Sequence, residues 1–177
     1  RAIQLAFDTF NDRSKWLPKY KRVEILEKTI SLMSSRKKEL TLIAAREGGK
    51  PYKDSAVEVD RAINGVRLAI EDLSYFAGEE IPMGHTRSSA DRLAFTRREP
   101  IGVVASISAF NHPLNLIIHQ VIPAVAVGAP VIVKPAATTP MSCFNFVEIL
   151  YEAGLPKEFC QALLCDNDVA EKLVTDD

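Results

Sequence analysis

The chain has 177 residues, 47% of them hydrophobic and 25% charged, enough apolar material to bury a sizeable core in one domain or one and a half. Its formal net charge of −1 gives no bulk attraction to nucleic acid or to an anionic membrane surface, so neither partner class is expected. The longest apolar stretch, residues 114–133, is interrupted by His119, Gln120, Pro123, Gly128 and Pro130, and no membrane-spanning helix is predicted there.

Residues 1–80 read as helical. Ala2, Leu5, Ala6 and Phe10 mark one helical face, Asn11, Asp12 and Arg13 break it, and a second helix starts near Pro18. Val23, Leu26, Ile30 and Met33 recur at the three-and-four spacing of a buried stripe. Ser34 and Ser35 are predicted to end that helix and cap the next, which carries Leu40, Ile43 and Ala44 and stops at Gly48 and Gly49. A further helix is predicted from Ser55, which forms a capping box with Glu58, through the stripe Val59, Ile63, Val66, Ile70 and Leu73 to about Gly78. Between residues 81 and 100 the pattern changes to turn residues and an alternating strand with Leu93 and Phe95 on one side, which predicts a protruding β-hairpin.

Beyond it, Ile101, Val103, Val104, Ala105 and Ile107 form a nearly continuous apolar run, predicted to be a strand buried on both faces. Pro113 suits the first position of a helix that ends at Gly128, with Pro123 inside it to kink it. Residues 131–133 read as a second buried strand, and a helix follows from Thr139 and Pro140 to Gly154. Leu163 and Leu164 are predicted to begin a third strand, and Asp168 to Val174 a last helix. Strands alternating with helices of this length make the fold class α/β, with part of a Rossmann-like parallel sheet covered by helices on both faces. The expected division is residues 1–80 as a helical part, 81–100 as the hairpin and 101–177 as a βαβαβα part.

In such sheets ligands bind at the carboxyl ends of the strands, which places residues 108–112 and 134–138 on the ligand side. No GxGxxG, GxxxxGK[ST] or GxSxG motif occurs. What remains is Asn111, whose amide could donate to a developing oxyanion, and Lys134, whose ammonium could hold ribose hydroxyls or a phosphate. By spacing alone an asparagine after a strand is more often a turn residue, and a strand-end lysine more often a solvated terminus. The three cysteines, Cys143, Cys160 and Cys165, form no CxxC pair, and with three scattered histidines they predict no metal site and a reducing, cytoplasmic setting.

The order of motifs adds more. EPIGVV at residues 99–104 is followed by Asn111 and Pro113. Next come Pro123, Ala124, Ala126 and Gly128, then Val131, Val133, Lys134 and Pro135, and finally Thr139 and Pro140. With EGGKP at residues 47–51 and EAGLP at residues 152–156, this series resembles the aldehyde dehydrogenase superfamily over essentially the whole chain. The resemblance implies that Asn111 is the catalytic oxyanion donor, that Lys134 binds the adenine ribose, and that Ile107, Ser108 and Phe110 line the groove of a nicotinamide cofactor, NAD or NADP. It implies oxidation of an aldehyde to a carboxylate through a cysteine thiohemiacetal and thioester.

Ala137 stands where many NAD-preferring members carry a glutamate three residues after the lysine, so NADP is expected to be at least tolerated. Leu164 and Cys165 replace the glycines that many members have after the third strand. The family's catalytic cysteine, general-base glutamate and pyrophosphate turn follow the matched region. The chain, which begins at Arg1 without Met, is therefore expected to be an N-terminal piece, inactive by itself. The hairpin resembles the family's subunit-bridging element and implies a homodimer or homotetramer. A CoA-acylating semialdehyde dehydrogenase and a non-catalytic descendant are the alternative readings.

Overall fold

A computed structural model describes residues 1–176; Asp177, the last residue of the expected 101–177 unit, lies outside the described residues. Helices α1 (Ala2–Asn11), α2 (Lys19–Ser35), α3 (Lys37–Gly48) and α4 (Tyr52–Asp72) precede a two-stranded antiparallel ribbon, β1 (Glu80–Ile81) with β2 (Ala94–Phe95). Then follow β3 (Val104–Ile107), α5 (Pro113–Val127), β4 (Val131–Lys134), α6 (Met141–Ala153), β5 (Cys160–Ala162) and two short helices, α7 (Asn167–Ala170) and α8 (Lys172–Thr175). Strands β3, β4 and β5 form a parallel sheet in that order, as the alternation of strand and helix predicts.

The register assigns each side chain to a face. Val104, Ser106, Val131, Val133, Cys160 and Ala162 share one face, where β4 and β5 residues join the apolar cluster of α5 and α6. Ala105, Ile107, Ile132, Lys134 and Gln161 share the other, which α1 crosses: Gln161 Nε2 donates to the Ala2 carbonyl at 3.2 Å. Helices α2, α3 and α4 cover the outer side of α5 and α6. Their buried stripes, Leu26 and Met33, Leu40 and Ala44, and Val59, Ala62 and Val66, close one continuous core around Leu114, Ile117, Phe146 and Leu150.

Several expectations are corrected. Helix α2 runs through Ser35, whose Oγ donates back to the Leu32 carbonyl, and Arg36 occupies the junction with α3, so no serine caps α3. Helix α4 begins at Tyr52 behind Pro51, whose fixed φ suits a helix entrance. Ser55 is thus already buried inside its first turn and Glu58 points away to another helix. The helix ends at Asp72, well before Gly78. Gly78 is required for a different reason: a Cβ there would lie 1.7 Å from the Thr96 carbonyl oxygen, where the base of the ribbon closes on itself. On α1 the buried positions are Ala6 and Thr9, whereas Leu5 is exposed; Phe10 packs instead against Trp16, ring centroids 5.6 Å apart. The ribbon strands are only two residues long, and Leu93 and Phe95 both face solvent.

Strand β3 is not buried on both faces. Its Ser106 face is covered by α5, but Ala105 and Ile107 are exposed and Ile101 is 97% exposed. The apolar run reports what this strand is made of, not what covers it in the described chain. Strand β5 begins at Cys160, three residues before the expected Leu163, although Leu163 N–H extends the ladder by donating to the Val133 carbonyl at 2.9 Å. The last helix is two four-residue pieces.

Candidate functional site

The three parallel strands end together. Ile107 and Lys134 are register partners at the carboxyl ends of β3 and β4, and Ser108 N–H donates to the Lys134 carbonyl at 3.0 Å, so the two loops leave the sheet already tied. Gln120 of α5 fixes the same end from the other face. Its Nε2 donates to the Ile107 carbonyl at 3.1 Å, and its Oε1 accepts from Ser106 Oγ at 2.6 Å. An amide has both donor and acceptor, so one side chain can hold a strand's backbone and its last inward hydroxyl.

The predicted residues divide into two groups. Lys134 is 8% exposed, and its ammonium has no hydrogen-bond or ion-pair partner among the described residues. The stem is buried while the ammonium itself keeps access to solvent, so its three donors are open to an anionic or hydroxyl-rich ligand. Ser108 is buried beside it, while Ile107 and Phe110 are half or more exposed on the open rim. Ala137 is exposed on the loop after β4 and brings no carboxylate to that loop. A hollow of about 340 Å³ beneath α1, with Ala105 and Ile132 in its wall, lies two residues short of Ile107 and Lys134 on the same face.

Asn111 belongs to the second group, on the exposed loop between β3 and α5. Its side-chain amide makes no hydrogen bond among the described residues, whereas its backbone carbonyl accepts from Lys50 Nζ at 3.0 Å. Lys50 Nζ also donates to Glu58 Oε2, and His112 Nδ1 lies 3.5 Å from both partners. The other Glu58 oxygen accepts from Leu114 N–H at 2.9 Å and Asn115 N–H at 3.2 Å, the free donors of the α5 N-terminus. Glu58 has no exposed side-chain surface, so a buried carboxylate from α4 caps the helix that follows the Asn111 loop. Glu47 does the same for α6, accepting from Met141 N–H at 2.7 Å and Ser142 N–H at 2.9 Å.

Of these supports, Lys50, Glu47 and Gln120 carry no role predicted from the sequence, and Glu58 is expected there only as the local capping partner of Ser55. One signal was present: Glu58 directly precedes Val59 and stands one turn before Ala62, on the inward side of α4, where an unpaired charge has no place.

The cysteines behave as core residues. Burial, with a smaller contribution from the Glu47 charge, pushes the Cys143 thiol up to about 12, and burial raises Cys160 further. Neither is a thiolate near neutral pH, which a nucleophile requires. No cluster of His, Cys, Asp and Glu among the described residues could hold a metal ion, and no helix among them is long and apolar enough to cross a membrane.

Comparison with known proteins agrees with this geometry. The chain is 41% identical over 147 residues to the 3-sulfolactaldehyde dehydrogenase of Priestia aryabhattai, which covers 83% of this chain and 31% of that protein. The structure of aldehyde dehydrogenase 21 from Physcomitrella patens in complex with the reaction product succinate superposes with a TM-score of 0.91 at 33% identity, covering 99% of this chain and 37% of that one. Glyceraldehyde-3-phosphate dehydrogenase from Methanocaldococcus jannaschii complexed with NADP superposes with a TM-score of 0.85 at 35% identity, over 97% of this chain and 37% of that one. The chain thus spans about a third of the length of the relatives it matches. The model of the aldehyde dehydrogenase family matches residues 1–177, and the chain belongs to that family.

Proposed function

We propose that the protein carrying this chain is an NAD(P)-dependent aldehyde dehydrogenase that oxidises an aldehyde to a carboxylate through a cysteine-bound thiohemiacetal and thioester. The observation that carries this reading is Lys134, whose stem is buried and whose ammonium reaches the open rim with no partner among the described residues, at the carboxyl end of the central strand of a parallel sheet. An anionic, hydroxyl-bearing dinucleotide fits it: Lys134 holds the adenine ribose, and Ile107, Ser108 and Phe110 line the groove. When bound, the nicotinamide supplies the hydride acceptor. Asn111, whose amide is free, donates to the aldehyde oxygen as a thiolate from outside these residues attacks the carbonyl. With Ala137 in place of a carboxylate, nothing at that position repels a 2′-phosphate, so NADP is accepted.

In the same reading residues 1–80 and 101–177 belong to one cofactor-binding domain, and residues 81–100 bridge subunits of a cytoplasmic homodimer or homotetramer. The exposed apolar residues Ile81, Leu93 and Phe95 on the ribbon support that role. The chain by itself, without the nucleophile, is inactive.

The test uses the full-length protein with propanal and each cofactor, following reduced cofactor by absorbance. NADP turnover is expected, and Asn111→Ala lowers kcat by about 10²–10³-fold while leaving NADP affinity within about twofold. Absence of turnover with both cofactors sinks the activity, and turnover with NAD but no measurable use of NADP sinks the Ala137 argument alone.

A further inference from the structure

We infer that Lys50 and Glu58 are positioning residues for Asn111, holding the oxyanion-donating loop in its working geometry across the boundary between the helices and the sheet. Three observations converge on this. Gly49, in the left-handed region with φ 60°, ends α3, and Lys50 N–H closes the turn on the Ala45 carbonyl at 3.1 Å, so the root of the Lys50 side chain is fixed. The Lys50 ammonium then bridges two oxygens that would otherwise repel each other, the Glu58 carboxylate and the Asn111 carbonyl. Finally, Glu58 holds the N–H groups of Leu114 and Asn115, the residues that begin α5 directly after the loop.

The peptide after Asn111 is therefore held at its carbonyl by Lys50, and the helix it enters is held by Lys50's own partner. The Asn111 side chain keeps its torsions as its main freedom, while its backbone root is defined by charge-assisted bonds of the stronger kind. Truncating Lys50 leaves a buried carboxylate without its counter-ion and frees the loop carbonyl. A displaced amide donor costs rate because its bond to the oxyanion is made in the transition state. Cofactor binding at Lys134 and the rim of β3 is not carried by this bridge.

The inference rests on the aldehyde-oxidising reading for its effect on rate, but its structural part is separable. In the full-length protein, Lys50→Met is expected to lower kcat with propanal and NADP by about 10- to 100-fold, with the KM for NADP within about twofold. Lys50→Arg, which keeps the charge and donors, is expected to recover part of that loss. Amide hydrogen exchange at residues 114–116, the first hydrogen-bonded N–H groups after the loop, is expected to rise by about tenfold in Lys50→Met whether or not the protein turns over propanal. Should Lys50→Met not fold, the pair Lys50→Met with Glu58→Gln removes both charges and keeps a cap acceptor for α5, with the same expected outcomes. Unchanged exchange at residues 114–116 overturns the bridge. Faster exchange with unchanged kcat, or a fall in kcat matched by an equal weakening of NADP, overturns the positioning role. If the wild-type protein does not oxidise propanal, the functional reading falls and the exchange result still decides the bridge.

Discussion

The two faces of the parallel sheet are built to different rules. Toward α5 and α6, Val131, Val133, Cys160 and Phe146 are sealed in an apolar core that α2, α3 and α4 close from behind. Toward α1, the same strands present Ala105, Ile107, Ile132 and Lys134 along a half-filled hollow and an open rim. One face is closed by apolar packing; the other ends in a lysine whose ammonium has no partner among the described residues. Within one strand, β4, the difference between a residue in the sealed core and one at the open rim is a single step of the backbone, because successive side chains point to opposite faces.

Mutations should separate the faces. Phe146→Ala, on the sealed side, is expected to cost about 3–5 kcal/mol in urea unfolding, since a fully buried ring leaves a cavity the packed helices cannot fill. A loss below about 1 kcal/mol would mean that this face is more loosely packed than its burial implies. Lys134→Met is expected to act the other way: stability nearly unchanged, because Met refills the buried stem and the ammonium lost has no partner among the described residues. NADP affinity would fall by about 10- to 100-fold through loss of charged hydrogen bonds. A Lys134→Met protein that unfolds more readily would erase the distinction.

The smallest effect is a pH dependence confined to the sealed side. Burial raises the Cys143 thiol from 9.0 to about 12, so the folded state keeps a proton that the unfolded state releases above pH 9. The stabilisation is complete below pH 9 and is lost as pH rises toward 12, by about 1 kcal/mol for each pH unit above 9. Half-buried Tyr151, also raised to about 12, adds in the same direction. Urea midpoints at pH 8 and pH 10 measure the slope, and Cys143→Ala should flatten it; equal midpoints would contradict the burial of this thiol.

Much of the sheet and its helices was legible because each element carries its own signal. Pro113, Gly128 and Gly154 bound α5 and α6 where expected, with both glycines at positive φ, and residues 131–133 form the buried centre of β4. The site was legible only in its outermost members. Asn111 and Lys134 stand out as polar residues at strand ends, whereas Lys50, Glu47 and Glu58 act on backbone groups far along the chain, and local pattern contains no term for such partners. The same blindness produced the Ser55–Glu58 box: the spacing is right for a local cap, and the actual donors belong to Leu114 and Asn115. For β3, composition indicated burial on both faces, but burial depends on what lies against the strand, which its own residues do not encode.

The clamping of α5 has a consequence for how the chain assembles during synthesis. Its negative cap, Glu58, and its positive one, Arg22, whose Nη1 donates to the Ala126 carbonyl, both come from earlier in the sequence, as does Glu47 for α6. The helices of the sheet are therefore finished by groups that leave the ribosome before they do. Helices α2, α3 and α4 carry the charges that both ends of α5 and the start of α6 require, so the sheet can be laid down from its anchored helices outward.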